Sequence, residues 1–402
     1  MEVRYVTGCD LLGAVVGGGE GQSGFIPGIL NIVGDTGTAK SFLACEIVAA
    51  NYHKYGKKFK WMYDPAEGKI KIDTLSLYGV DIVKKKEDGG VRSKTVEDFH
   101  YNYHNFLESL EDDECGIYVL DSLDGINSDA ARARMEKKMR LMDKGKKLDK
   151  GTFALETPKY LSQEFFKNIT SDTEDKGCLL IIISQTRDAI NAMFKTQCRA
   201  GGKALDFYAN YIMWLASMHK IVKNELEIGR VIKAKMTKTR TSRPSRKCMF
   251  PVMYEIGVDN IGANVDFLFD LRSVKTGKLE KSSSIVWDGE VNTKIADATV
   301  KELTSFLKEV SAYDVYREFL IKNELKSTKK SCLQYIESEK GTAFYDKFEE
   351  VFGKQGVSMK RDELILWIEE SAERKQELTR RVLEKWEARE KSVLSGRKKK
   401  YE

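Results

Sequence analysis

Apolar residues fall along this chain in two rhythms. Over the first 290 residues, short unbroken runs (GILNIVG, KFKWMYD, GIYVLD, CLLIIIS and YIMWLA) alternate with amphipathic stretches. Strands covered on both faces need unbroken runs of that length, and their alternation with helical segments predicts βα units around a mainly parallel, twisted sheet. From residue 291 the period lengthens. Apolar positions recur at helical spacing in ATVKELTSFLKEV, AYDVYREFLIKNEL, AFYDKFEEVF and the long RDELILWIEESAERKQELTRRVLEKWEAREKSVL. The expectation is an α/β core over residues 1–290 and a helical domain over 291–402. Long connections interrupt the core pattern at residues 122–160, at 186–203 and in the basic stretch before CMFPVMYEIG. Connections of that length are usually functional or disordered.

Composition narrows the class. With 42% hydrophobic and 32% charged residues in 402, the chain reads as a well-packed soluble protein. It has no run of about eighteen apolar residues, and MEVRYVTGCD lacks the sections of a signal peptide, so a cytoplasmic protein without a membrane partner is expected. Seven cysteines without a C-x-x-C pair read as reduced packing residues. Four histidines without zinc-ligand spacing leave oxygen ligands for any metal. The net charge of +6 is modest, but its distribution is uneven. Lys233 to Lys247 holds seven basic residues and no acid, and Arg132 to Lys150 holds nine against three acids.

The chemistry begins where GILNIV runs into Gly34-Asp35-Thr36-Gly37-Thr38-Ala39-Lys40-Ser41 and an apolar helix. This is the G-x-x-x-x-G-K-[ST] phosphate loop with alanine in place of its second glycine. Backbone N–H groups at a helix N-terminus would cradle a phosphate, Lys40 would reach the β- and γ-phosphates of ATP, and the Ser41 hydroxyl would ligate Mg2+. Asp121, closing the apolar run GIYVLD, is the expected second magnesium residue. Asp64 and Glu67, after KWMYD, are candidates for the base that activates water, and Glu67 is the choice.

With these sites in order, the chain resembles the RecA-type recombinases, including their phage-encoded branch. The strongest resemblance lies in IIISQTRDAINAMFKTQCRAGGKALDFYANYIMW, where Gly201, Gly202, Ala204, Leu205, Phe207, Tyr208 and Ala209 fit the family pattern. TGCDLLGAVVGG resembles the start of the family's core, so the likeness covers about residues 5–280. It implies a RecA-like P-loop NTPase core in which Gln185 senses the γ-phosphate. It further implies that Arg187, Lys195, Arg199, Gly201, Gly202 and Lys203 form a DNA-binding loop. Lys238 and Arg240 match the basic residues that reach across to a neighbouring subunit's nucleotide. Three departures stand out besides Ala39. Glu67 follows Asp64 by three residues rather than two, Thr74 stands near the family's base-stacking aromatic, and the core is expected to begin within about ten residues of Met1, where family members that form filaments have an N-terminal arm.

The resemblance implies a DNA-dependent ATPase that forms a filament of many copies on single-stranded DNA and exchanges strands with a homologous duplex. A phage-encoded protein working in a bacterial host cell would fit it. Two alternatives remain open at this point. One is a ring-forming motor or helicase on the same fold, and the other a non-catalytic, nucleotide-binding recombination mediator.

Overall fold

The computed structural model describes residues 3–18, 22–68, 72–143, 159–188, 197–199, 202–280, 285–287, 299–339 and 357–393. The chain divides into two compact units, one of Met1–Glu280 with Ile368–Glu402 and the other of Lys281–Trp367.

In the first unit, chain order runs α1 (Asp10–Gly17), β1 (Gly28–Gly34), α2 (Lys40–Tyr55), β2 (Phe59–Asp64), α3 (Thr74–Tyr78), α4 (Val96–Glu108), β3 (Cys115–Leu120) and α5 (Asp129–Asp143). A π-helical turn at Leu161–Phe165 leads into α6 (Phe166–Asp175), then β4 (Cys178–Asp188), β5 (Gln197–Arg199) and α7 (Gly202–Tyr208). The order continues with β6 (Tyr211–Lys223), β7 (Leu226–Lys238), β8 (Lys247–Met253), β9 (Gly257–Val258) and α8 (Asn260–Leu268).

Among the described residues these strands form one nine-stranded sheet in the order β2-β3-β4-β1-β6-β7-β8-β9, with β5 beside β4. Pairing is parallel from β2 to β6 and antiparallel from β6 to β9. The five apolar runs of the sequence supply the five parallel strands. All seven residues of β1 and all six of β3 are buried, as strands with both faces covered must be. Ile29 and Val33 join a core cluster with Phe99 and Tyr103 of α4 and Phe166 of α6, while Leu30 and Ile32 point to the other face by strand alternation.

The mixed half of the sheet was not evident from its apolar runs. β6 and β7 are each 13 residues long and form a hairpin that turns at Asn224-Glu225, both with positive φ. Burial in β6 is confined to its first five residues and in β7 falls intermittently between Gly229 and Met236, so charged residues are interleaved and conceal the strands.

In the second unit, β10 (Ile285–Trp287) pairs antiparallel with β11 (Val357–Met359). The helices α9 (Val300–Glu309), α10 (Tyr313–Lys322) and α11 (Lys329–Glu339) share a core of Leu303, Phe306, Leu307, Tyr316, Tyr335 and Ile336. AFYDKFEEVF lies outside the described residues. The long final helical pattern is broken in two, α12 (Arg361–Glu369) and α13 (Ala372–Ser392), because Ser371 turns to extended backbone and caps the second helix through Arg374 N. In the first unit, α13 packs against α1 and α8. Its Leu378, Val382 and Trp386 recur at i+4 and are buried, with Trp386 6.0 Å from the Phe267 ring of α8.

Candidate functional site

β1 delivers Gly34 to the carboxyl end of the parallel strands, and α2 begins at Lys40, so residues 35–39 form a loop at a helix N-terminus. Gly37 has φ 76°, and Ala39, at the motif's second glycine, has φ 61°. The loop braces itself: Thr38 Oγ1 and Lys40 Nζ each donate to the Asp35 carbonyl at 2.8 Å. Burial pulls the Lys40 ammonium below its ordinary pKa, opposed by Asp121, Glu67, Asp35 and Asp124. That desolvated cation favours an anionic ligand, which would restore its charge balance.

Ser41 Oγ donates to Asp121 Oδ2 at 2.6 Å, and the Tyr63 hydroxyl donates to the same oxygen at 2.7 Å. Burial raises the Asp121 carboxyl above its usual range, and the two hydroxyls partly offset this. The serine and the acid of the expected magnesium pair therefore meet directly. Among the described residues no group of three or more His, Cys, Asp or Glu side chains could cage a metal ion. The oxygen pair fits a magnesium ion that keeps waters and takes its other ligands from a bound phosphate.

Glu67 stands in the turn after β2, with its N–H on the Asp121 carbonyl at 3.2 Å. Its Oε1 accepts from Gln185 Nε2 at 2.7 Å and from the Ser122 hydroxyl. A Cβ on Gly125 would come within 3.0 to 3.2 Å of Glu67, so this glycine makes room for it. Asp64 is fully buried and accepts from Ser93 N at 2.8 Å, the Ser93 hydroxyl and the Tyr118 hydroxyl at 2.9 Å. It ties the end of β2 to its neighbours, and Glu67 alone of the two carboxylates faces the cleft. That cleft, about 470 Å³, is lined by residues 36–42, Glu67, Gly68, Ile72, Asp121, Ser122, Ile183 and Gln185.

Gln185 pairs in register with Gly34, and its backbone N–H reaches Asp124 Oδ2 at 2.7 Å. Beyond it, β4 turns back as an antiparallel ladder with β5, pairing Thr186 with Arg199 and Arg187 with Cys198. Arg187 and Arg199 thus sit on adjoining strands, and Gly202 and Lys203 open α7. Lys195 and Gly201 lie outside the described residues.

Lys238 and Arg240 lie at the other end of the sheet. Lys238 Nζ donates to the Asp206 and Phe207 carbonyls of α7, each at 2.7 Å, and Arg240 pairs with Glu174 at 3.1 Å. Strand register carries Lys238 to Ile212 and so to Asn31, the middle residue of β1, whereas the loop follows the end of that strand. The structure does not bring these two residues to their own chain's phosphate loop.

Other groups at the site were not anticipated. Arg230 of β7 donates to the Gly37 carbonyl at 3.3 Å and pairs with Glu227, which also accepts from the Tyr254 hydroxyl. Thr186 donates to Asp35. Arg230 would have needed the long β6–β7 hairpin to be recognised first. Tyr63 immediately precedes Asp64, so strand alternation could have placed it on the opposite face.

Residues 133–259 match the family described as the RecA N-terminal domain. A stretch of 137 residues is 30% identical to Protein RecA of Cereibacter sphaeroides strain ATCC 17023, covering 34% of this chain and 38% of that protein. Protein RecA of Brucella canis is 29% identical over 125 residues, 31% of this chain and 33% of the relative. Over this stretch the chain is similar to the RecA-type recombinases. It spans under two fifths of the length of these curated relatives. The RecA match takes in Gln185, the β4–β5 hairpin, Lys238 and Arg240 but begins after the phosphate loop, Glu67 and Asp121. The case for those three therefore stands on their geometry. With its parallel sheet, phosphate loop and added helices, the chain has a RecA-like P-loop core plus a helical region.

Proposed function

We propose that this chain is a DNA-dependent ATPase that polymerises on single-stranded DNA with ATP and magnesium and pairs it with a homologous duplex. The observation that supports this best is the contact between Glu67 and Gln185. It links the carboxylate placed to activate water to the strand that runs directly into the candidate DNA loop.

In this reading the loop N–H groups from Gly34 to Ser41 and the Lys40 ammonium hold the phosphates of ATP. Ser41 would ligate magnesium and Asp121 would hold it through water, and the ion supplies neutralising charge to the phosphate oxygens. Glu67 accepts the proton of a water aligned with the γ-phosphorus. Gln185, released from Glu67 by the γ-phosphate, passes the nucleotide state along β4 to Arg187 and, through β5, to Arg199. Lys195, Gly201, Gly202 and Lys203 complete the surface along the DNA backbone. Lys238 and Arg240 reach the nucleotide of the next protomer and stabilise charge on the departing phosphate, as arginine fingers do in trans. ATP at the junction then favours the DNA-bound polymer, and hydrolysis weakens it.

The test is ATP turnover with and without single-stranded DNA, for the native chain and Lys40→Ala, with the same samples imaged. DNA-stimulated turnover that falls at least about a hundredfold in the variant, together with filaments, supports the reading. Turnover indifferent to DNA, or closed rings, refutes it.

A further inference from the structure

The turn that joins β7 to β8, TRTSRPSRK at residues 239–247, carries Arg240, Arg243, Arg246 and Lys247 and no acid. Four like charges in nine residues should hold such a turn open and mobile. Instead, besides the Arg240–Glu174 pair, it is fastened from two further sides. Thr241 and Ser242 donate to the Val16 carbonyl at the end of α1, at 3.0 and 2.9 Å. From α13, the Glu390 carboxylate accepts from Arg243 Nε and Nη2 at 3.1 and 2.9 Å and from Arg246 Nε at 2.8 Å, with Arg246 Nη2 ion-paired to it at 2.7 Å.

One carboxylate thus holds two guanidiniums, Arg243 in forked geometry and Arg246 through Oε2 alone, and the pair with Arg246 is well shielded, with side-chain exposures of 13% and 19%. Within the turn, the Ser245 amide closes back on the Met236 carbonyl at 2.7 Å. The stem of this turn is the strand end bearing Lys238, and Arg240 is its second residue. α13 is itself seated by Leu378, Val382 and Trp386, so the clamp hangs from a packed helix.

We infer that Glu390 is a positioning residue: through Arg243 and Arg246 it fixes the basic turn, and with it the direction in which Lys238 and Arg240 are presented. That the presentation is to a neighbour's nucleotide rests on the function proposed above; the fixing of the turn does not. Without Glu390, a largely buried Arg246 loses its counter-charge and the turn loses one of its three fastenings.

The full chain is compared with Glu390→Gln and the conservative Glu390→Asp. Hydrogen exchange at residues 239–247, with the Ser245 amide as reporter, should quicken about tenfold or more in Glu390→Gln and stay near native in Glu390→Asp. DNA-stimulated kcat should fall about fivefold or more in Glu390→Gln while KM, and binding of a fluorescent ATP analogue to dilute protomers, change less than about twofold. Unchanged exchange overturns the inference. So does faster exchange with native kcat, including the case where only DNA affinity rises because two arginines have been unmasked. A native chain without DNA-stimulated turnover refutes the functional reading instead, and exchange in Glu390→Gln alone then decides whether the turn is clamped.

Discussion

Ala39 holds φ 61° and ψ 28°, a left-handed conformation in which an L-residue's Cβ crowds the following carbonyl. The crowding costs about 1 to 2 kcal/mol and vanishes in glycine. Ala39→Gly should therefore raise stability by about 1 kcal/mol in urea denaturation, after the extra chain entropy of glycine is deducted. A variant less stable than native would mean that the methyl group makes a favourable contact. Seven residues on, Glu46 is mostly shielded on α2 and accepts from Val258 N at 3.0 Å. Burial lifts its carboxyl to about 7. Its unfolded value is about 4.3, so the folded chain binds this proton more tightly, and the associated stability is full below that value and lost as pH rises to about 7. Glu46→Gln should match the native chain near pH 4 and exceed it by on the order of 3 to 4 kcal/mol at pH 8. Parallel stability curves across that range would show that Glu46 does not titrate as its surroundings demand.

At the scale of elements, α13 shows how a helix can be plain in sequence while its docking is not. Helical spacing over residues 361–394 shows that the segment is helical. The break at Ser371 depends on a capping side chain, and serine also occurs inside helices. Which helix docks where depends on partners distant in sequence, such as Phe267 against Trp386. Trp386 is 2% exposed, and Trp386→Ala should cost about 3 to 5 kcal/mol in equilibrium unfolding. A loss below about 1 kcal/mol would mean that α13 is a loose appendage. The same contrast runs through the sheet. The five parallel strands were legible because burial on both faces leaves only apolar letters. β7 carries no such run, because Lys233 and Lys235 interrupt its buried positions and its role follows from pairing with β6 and β8. At the site, the phosphate loop and Asp121 could be named from local pattern. Glu67 was preferred to Asp64 from the sequence, but the burial of Asp64 was not legible there, since it rests on Ser93 and Tyr118 closing around it.

At the scale of the molecule, the parallel strands place the phosphate loop at one end of the sheet and Lys238 and Arg240 toward the other. If each junction takes its loop from one protomer and its basic residues from the next, two inactive variants should repair each other. In an equal mixture of Lys40→Ala and Arg240→Ala, one junction in four on average joins a sound loop to sound basic residues. Turnover should then recover to about a quarter of native, from two preparations each nearly silent alone. A mixture as silent as its components would place both residues in the service of a single protomer. The separation of the two sites carries a further consequence for growth. An assembly built from such protomers has two unlike tips, one showing an unshared loop and the other an unshared pair of cations. Monomers would meet a different surface at each tip, so lengthening and shedding would proceed at different speeds in the two directions.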